Sequence, residues 1–256
     1  MKTGKEQTAD NKGTERVLPP TDLIVALDYP RTEKAFELVQ KLDGLPVIYK
    51  VGFELFLAGG SELVRELVHR KNRVFLDLKF HDIPNTVARA AKQAALMHVD
   101  MFTLHLAGGS QMVRAVVQEF AEMPELKPRI LGVTVLTSFD DVRWAEVTRA
   151  LTGHACEVSD SVDGLISQAA SWGADGVVCS AFELKQIKAL HPHLYTVVPG
   201  IRPEGSDAND QARVMTPGQA HEAGAHAIVM GRPITESPEP RHLVESVLKK
   251  VGRTFW

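Results

Sequence analysis

Two carboxylates bracket a lysine in the stretch Asp77-Leu78-Lys79-Phe80-His81-Asp82-Ile83-Pro84-Asn85-Thr86. A lysine so placed stays an ammonium, which makes it a poor nucleophile but a well-placed cation and proton donor. Schiff-base chemistry needs the neutral amine and is disfavoured for the same reason. The plain alternative is an Asp–Lys pair that merely closes a barrel end. The second carboxylate, Asp82, three residues after Lys79, weighs against it.

The element that must position these groups reads as a strand. Val74, Leu76, Leu78 and Phe80 fall on one face at period two, and Phe75, Asp77, Lys79 and His81 on the other. Charges on the face of an otherwise apolar strand are expensive unless paired or functional. Pro84 fixes a turn, and Asn85 or Thr86 is expected to cap a helix running through the alanine-rich segment to Met97. The charges therefore stand where a strand ends and a βα loop begins.

The same alternation recurs along the chain. Short apolar strands are expected at 23–27, 47–51, 101–106, 129–136, 176–179, 195–198 and 226–230, separated by helical segments. The helix after the second strand should break and restart at Ala58-Gly59-Gly60-Ser61, and Thr32 should cap the helix after the first. Strict alternation argues for a parallel sheet covered by helices, and eight units point to an α/β fold of the closed (β/α)8, or TIM-barrel, type. Such barrels carry their active sites at the C-terminal ends of the strands. The polar residues expected there are Asp28, Lys50, Asp77, Lys79, His105, Thr137, Arg202 and Arg232.

A second constellation lies after strands seven and eight. Pro199-Gly200-Ile201-Arg202 and Gly231-Arg232-Pro233 each place an arginine near a glycine just beyond a strand. Glycine permits close backbone approach and arginine gives charge-assisted contacts, a combination suited to phosphate. Between them, residues 203–211 are polar and glycine-containing, and read as a mobile loop from which Gln211 can close as an amide donor.

Composition narrows the function classes. The chain has 256 residues, 44% hydrophobic, with a net charge of −3. One barrel accounts for this length. The charge gives no reason to expect nucleic acid or a membrane surface as partner. Cys156 and Cys179 have no metal spacing and fit a reducing, cytoplasmic setting, with Cys179 a core thiol. Residues 1–20 are polar, end in Pro19-Pro20 and lack the apolar middle of a signal peptide. They read as a flexible extension, leaving 21–256 for the barrel.

The string Asp77 to Thr86 resembles the signature of the orotidine 5′-phosphate decarboxylase family, of bacterial type. The resemblance extends over roughly residues 21–250. Val25-Ala26-Leu27-Asp28, Tyr49-Lys50-Val51-Gly52 and Gly132 to Ser138 resemble its first, second and fifth strand motifs. Pro199 to Arg202, Asp210-Gln211, Met215-Thr216-Pro217 and Gly231-Arg232-Pro233 resemble its phosphate end. The short Asp-x-Lys-x-x-Asp core is shared with relatives that decarboxylate keto-sugar phosphates and are expected to need Mg²⁺; the longer string is more specific. A catalytically silent nucleotide-binding barrel should have lost part of the charged array, and its four members, Lys50, Asp77, Lys79 and Asp82, are all present here.

The resemblance implies decarboxylation of orotidine 5′-monophosphate to UMP and carbon dioxide, without metal or other cofactor. It implies Lys79 as proton donor to C6, Asp77 beside the substrate carboxylate, and Lys50 in the charged array. Asp82 would come from the other subunit of a homodimer, with Ile83 and Thr86 nearby. Asp28 and Lys50 would lie near the ribose, and Thr137 or Ser138 near the pyrimidine. Pro199, Arg202, Gln211, Gly231 and Arg232 would form the phosphate end. His81 has no defensible proton-transfer role, and His105 reads as a supporting residue.

Overall fold

The computed structural model describes residues 18–204 and 215–255. Eight parallel strands close into one barrel: β1 (Asp22–Ala26), β2 (Val47–Val51), β3 (Arg73–Phe80), β4 (Met101–His105), β5 (Arg129–Val133), β6 (Gly176–Val178), β7 (Tyr195–Val198) and β8 (Ala227–Met230). Each strand pairs with its sequence neighbours, and β8 pairs with β1, Leu23 opposite Ile228. This is the (β/α)8 architecture expected from the alternating pattern. All strands run the same way, so one rim of the barrel collects every strand's C-terminal end.

Period-two alternation divides the apolar residues into two layers. Ile24, Ile48, Phe75, Met101, Leu131, Val197 and Ala227 point inward and fill the barrel, with Val178 packed against them. Their neighbours, among them Leu23, Val25, Tyr49, Val74, Leu76, Phe102 and Val198, pack outward against the helices. A barrel interior filled in this way is a solid platform. Groups at its upper rim are held in place from below.

The covering helices include Thr32–Lys41, Phe53–His69, Pro84–Leu96, Gly109–Glu119, Val158–Trp172 and Pro240–Lys250. The helix Phe53–His69 is interrupted at Gly60, whose φ of 60° and ψ of −158° are non-helical, where the glycine pair was expected to break it. Two expected caps are displaced. Thr32 is the first helical residue rather than the cap, which is Arg31. The helix of β3 starts at Pro84 with Ile83 at the cap position, so neither Asn85 nor Thr86 caps it. Proline at the first turn lacks only an N–H that would be unpaired there anyway, and its fixed φ suits the start.

Thr216 caps the helix Pro217–Glu222 through a reciprocal pair of bonds with Gln219. A four-residue helix, Arg232–Thr235, follows β8. The polar segment expected as an N-terminal extension lies outside the described residues up to residue 17, as do Gln211 and most of the loop expected to be mobile. No helix among the described residues is long and apolar enough to cross a membrane.

Candidate active site

β3 runs farther than its neighbours, and its last residues depart from the ladder. Phe75 pairs with Met101 and Leu76 with Phe102, but the next partnership joins Phe80 to Leu104. Residues 77–79 thus stand opposite Thr103 alone. Lys79 takes a φ of 43°, the left-handed region that a side-chain-bearing residue adopts only when held there. The bulge carries Asp77 and Lys79 to the barrel mouth above Phe75.

Four charges form one chain across the ends of β1, β2 and β3. Lys79 Nζ lies 2.9 Å from Asp77 Oδ2. Lys50 Nζ is 3.8 Å from the same oxygen and 3.0 Å from Asp28 Oδ1. The signs alternate from Asp28 to Lys50, Asp77 and Lys79, so each interior member has opposite charge on both sides. The middle of the chain is the most shielded: Lys50 and Asp77 side chains are 12% and 13% exposed, against 55% for Asp28. Screening is weakest where Asp77 meets the lysines.

Two glycines make room for this chain. A Cβ on Gly52 would stand 2.9 Å from Lys50 Nζ, and one on Gly231 would stand 3.3 Å from Asp28 Oδ2. The end of β8 therefore approaches the first carboxylate closely enough that a larger residue would crowd it.

A cavity of about 150 Å³ opens beside the array. Lys50, Asp77 and Lys79 line one side; Val133, Val178, Val197 and Val229 supply apolar walls. Thr137 and Pro199 also line it, whereas exposed Ser138 does not. Fixed charges against apolar walls suit a ligand that turns a polar group to the charges and an apolar surface to the walls. A larger cleft, about 700 Å³, lies at the opposite pole between Arg73, Lys127, Asp175 and Tyr195. There Arg73 pairs with Asp100 and Lys127 with Asp175. The smaller cavity, at the strands' C-terminal ends, is the one with catalytic character.

Arg202 follows β7 and is only 6% exposed. Its Nε has no hydrogen-bond partner among the described residues. Burial, then the neighbouring Arg232, lowers the pKa of its guanidinium, with Glu236 opposing. Two guanidiniums kept close together, one with an unanswered buried donor, make a place for an anion. Gln211 lies outside the described residues.

Asp82, Ile83 and Thr86 sit on the exposed lip after β3. Asp82 Oδ1 accepts the Ile83 N–H at 2.6 Å, and Ile83 is 67% exposed. Among the described residues Lys79 pairs with Asp77 and not with Asp82. Exposed Phe53 lies near the same lip, its ring centroid 5.8 Å from Lys79 Nζ.

His81 and His105 form a tilted ring pair with centroids 5.4 Å apart. Burial, reinforced by His81 and Lys79 and opposed by Asp77, lowers the His105 pKa, which favours its neutral form beside the array.

One contributor has no place among the residues singled out from the sequence. Thr103 is fully buried on β4, and its hydroxyl bonds to both Asp77 and Lys79. The available signal was a hydroxyl on the inward face of β4, in register between Met101 and His105.

Comparison with known proteins identifies the family. Residues 21–247 match the model of the Orotidine 5′-phosphate decarboxylase / HUMPS family. The chain is 43% identical over 231 residues to orotidine 5′-phosphate decarboxylase of Pseudomonas putida strain GB-1, covering 90% of this chain and 97% of that protein. It is 42% identical over 234 residues to the enzyme of Pseudomonas syringae pv. syringae, with 91% and 98% covered. The crystal structure of orotidine 5′-phosphate decarboxylase from Lactobacillus acidophilus superimposes with a TM-score of 0.78 at 35% identity, covering 90% of this chain and 99% of that one. Sequence match and fold agree over the whole barrel, and the chain belongs to the orotidine 5′-phosphate decarboxylase / HUMPS family.

Proposed function

We propose that the barrel converts orotidine 5′-monophosphate to UMP and carbon dioxide, with Lys79 as the proton donor. The observation that carries this is the 2.9 Å Asp77–Lys79 pair set against an apolar cavity at the barrel mouth. Breaking the bond from C6 to the carboxylate leaves its electron pair on C6 as carbon dioxide departs. The Lys79 ammonium stabilises the charge developing there and then delivers its proton to C6. Asp77, acceptor-only and held by Lys50 and Lys79, disfavours the substrate carboxylate but not neutral carbon dioxide.

The remaining assignments follow the family resemblance. Asp28 and Lys50 hold the ribose, and Thr137, with Ser138 beside it, meets the pyrimidine. Pro199, Arg202, Gly231 and Arg232, joined by Gln211, take the phosphate; the unpartnered Nε of buried Arg202 supports this. Phosphate binding far from C6 supplies energy for organising the site. The chemistry requires no cofactor. Residues 21–256 act as one catalytic unit in the cytoplasm. Asp82, Ile83 and Thr86 serve the site of a second subunit in a homodimer; their exposure, with that of Phe53, supports the reading.

The test is turnover of orotidine 5′-monophosphate by purified protein in EDTA, following substrate absorbance and UMP. Conversion is expected at full rate. Absence of turnover, with Mg²⁺-dependent decarboxylation of a keto-sugar acid phosphate instead, would overturn the assignment.

A further inference from the structure

The bulge that ends β3 is tied down by one hydroxyl. The Lys79 backbone N–H donates to Thr103 Oγ1 at 2.9 Å, and Thr103 Oγ1 donates to Asp77 Oδ1 at 2.9 Å. The directions are not interchangeable. A backbone N–H can only donate and an ionised carboxylate can only accept, so the single hydroxyl proton must go to Asp77. Thr103 is fully buried and stands opposite the three β3 residues that lack a ladder partner. It replaces, with a side chain, the acceptor that regular pairing would have offered Lys79.

Two consequences meet at the reacting pair. The backbone bond stabilises Lys79 at a φ of 43°, which sets where its side chain departs. The second bond divides the Asp77 carboxylate: Oδ1 faces the scaffold hydroxyl, and Oδ2 is left to Lys79 and Lys50. We propose that Thr103 is a positioning residue for the decarboxylation, its hydroxyl fixing the Asp77 carboxylate and the Lys79 backbone together. Thr103 touches no reacting atom. It acts through Asp77 and Lys79, and the inference rests on the function proposed above.

The experiment compares Thr103→Val, which keeps the shape and removes the hydroxyl, with Thr103→Ser, which keeps the hydroxyl. Active sites are titrated with UMP, so that kcat is read per folded site. For Thr103→Val, kcat is expected to fall about tenfold to a hundredfold, the usual loss for a hydrogen bond to a charged group. KM is expected to stay within about threefold, because the interaction serves the reacting centre rather than the phosphate. Thr103→Ser should recover most of the rate. A purely structural role would lower the melting temperature while leaving kcat per titrated site at the wild-type value, and that result overturns the proposal. So does a serine variant as slow as valine, since the hydroxyl would then not be the operative group. Thr103→Ala, made in parallel, is read by the same criteria should valine not fold. A wild type inactive on orotidine 5′-monophosphate would overturn the proposed function itself; an active wild type with a fully active valine variant overturns this inference alone.

Discussion

Lys50 Nζ stands 3.0 Å from Asp28 Oδ1, joining the second strand of the barrel to the first at the rim where the site is built. Its 3.8 Å approach to Asp77 extends the link to β3. Lys79, the proposed proton donor, is thus the end of a charge chain anchored on three strands. Small displacements anywhere along it should be felt at C6.

Lys79→Ala removes the cation and the proton together. Turnover is expected to fall by about 10³-fold or more, combining the usual ranges for general-acid catalysis and electrostatic stabilisation. UMP should still bind, because the proposed phosphate and ribose contacts remain. Steady-state rates and UMP titration check this; near-normal turnover would show that another group delivers the proton.

Gly52→Ala tests the room that Lys50 needs. Gly52 has φ −96° and ψ −173°, which alanine adopts readily, so the backbone is not at issue. The added methyl would stand 2.9 Å from Lys50 Nζ and push it off Asp28. We expect kcat/KM to drop about tenfold or more, the scale set by misplacing a group at the reacting centre. The denaturation midpoint should change little. An unchanged kcat/KM would mean that Lys50 position is not critical.

Sharing of the site between subunits is open to complementation. Asp82→Ala and Lys79→Ala chains, each nearly inactive alone, are mixed and refolded together. A hybrid holds one site with both residues intact, so random pairing should restore about one quarter of wild-type activity if the symmetric dimer shares its sites. No recovery, with hybrid formation shown by tagged chains, would place Asp82 within its own subunit's site or outside the chemistry.

The pH dependence of stability follows from two half-buried histidines. Burial, then His81 and Lys79, lowers the His105 pKa; burial, then Lys188 and Arg129, lowers that of His226. The unfolded chain binds these protons near pH 6.5, where imidazole ordinarily titrates, while the folded chain resists them. Their contribution is therefore complete above that pH and is lost as pH falls below it. Denaturant midpoints should be lower at pH 5.5 than at pH 7.5, and His226→Gln should shrink the difference. Equal midpoints at the two pH values would contradict this.

Period-two alternation decided most of what could be read without coordinates. It placed Phe75, Asp77 and Lys79 on one face of a strand, and eight repeats of strand and helix required a closed barrel whose rim gathers Asp28, Lys50, Asp77 and Lys79. The reason is local: side-chain direction along a strand depends only on backbone geometry, and parallel strands all end on the same side. Helix starts were less legible, because Ile83 and Arg31 occupy cap positions without side-chain caps, and packing against the barrel makes local capping dispensable. Thr103 was legible only as a hydroxyl on the inward face of β4, with no role attached. It acts because the ladder slips between Leu76 and Phe80, leaving Asp77 and Lys79 opposite its hydroxyl. The unanswered Nε of Arg202 likewise appears only once the chain has closed around it. Residue types and period set which groups reach the rim; register and burial, which depend on contacts between distant segments, decided how they are held there.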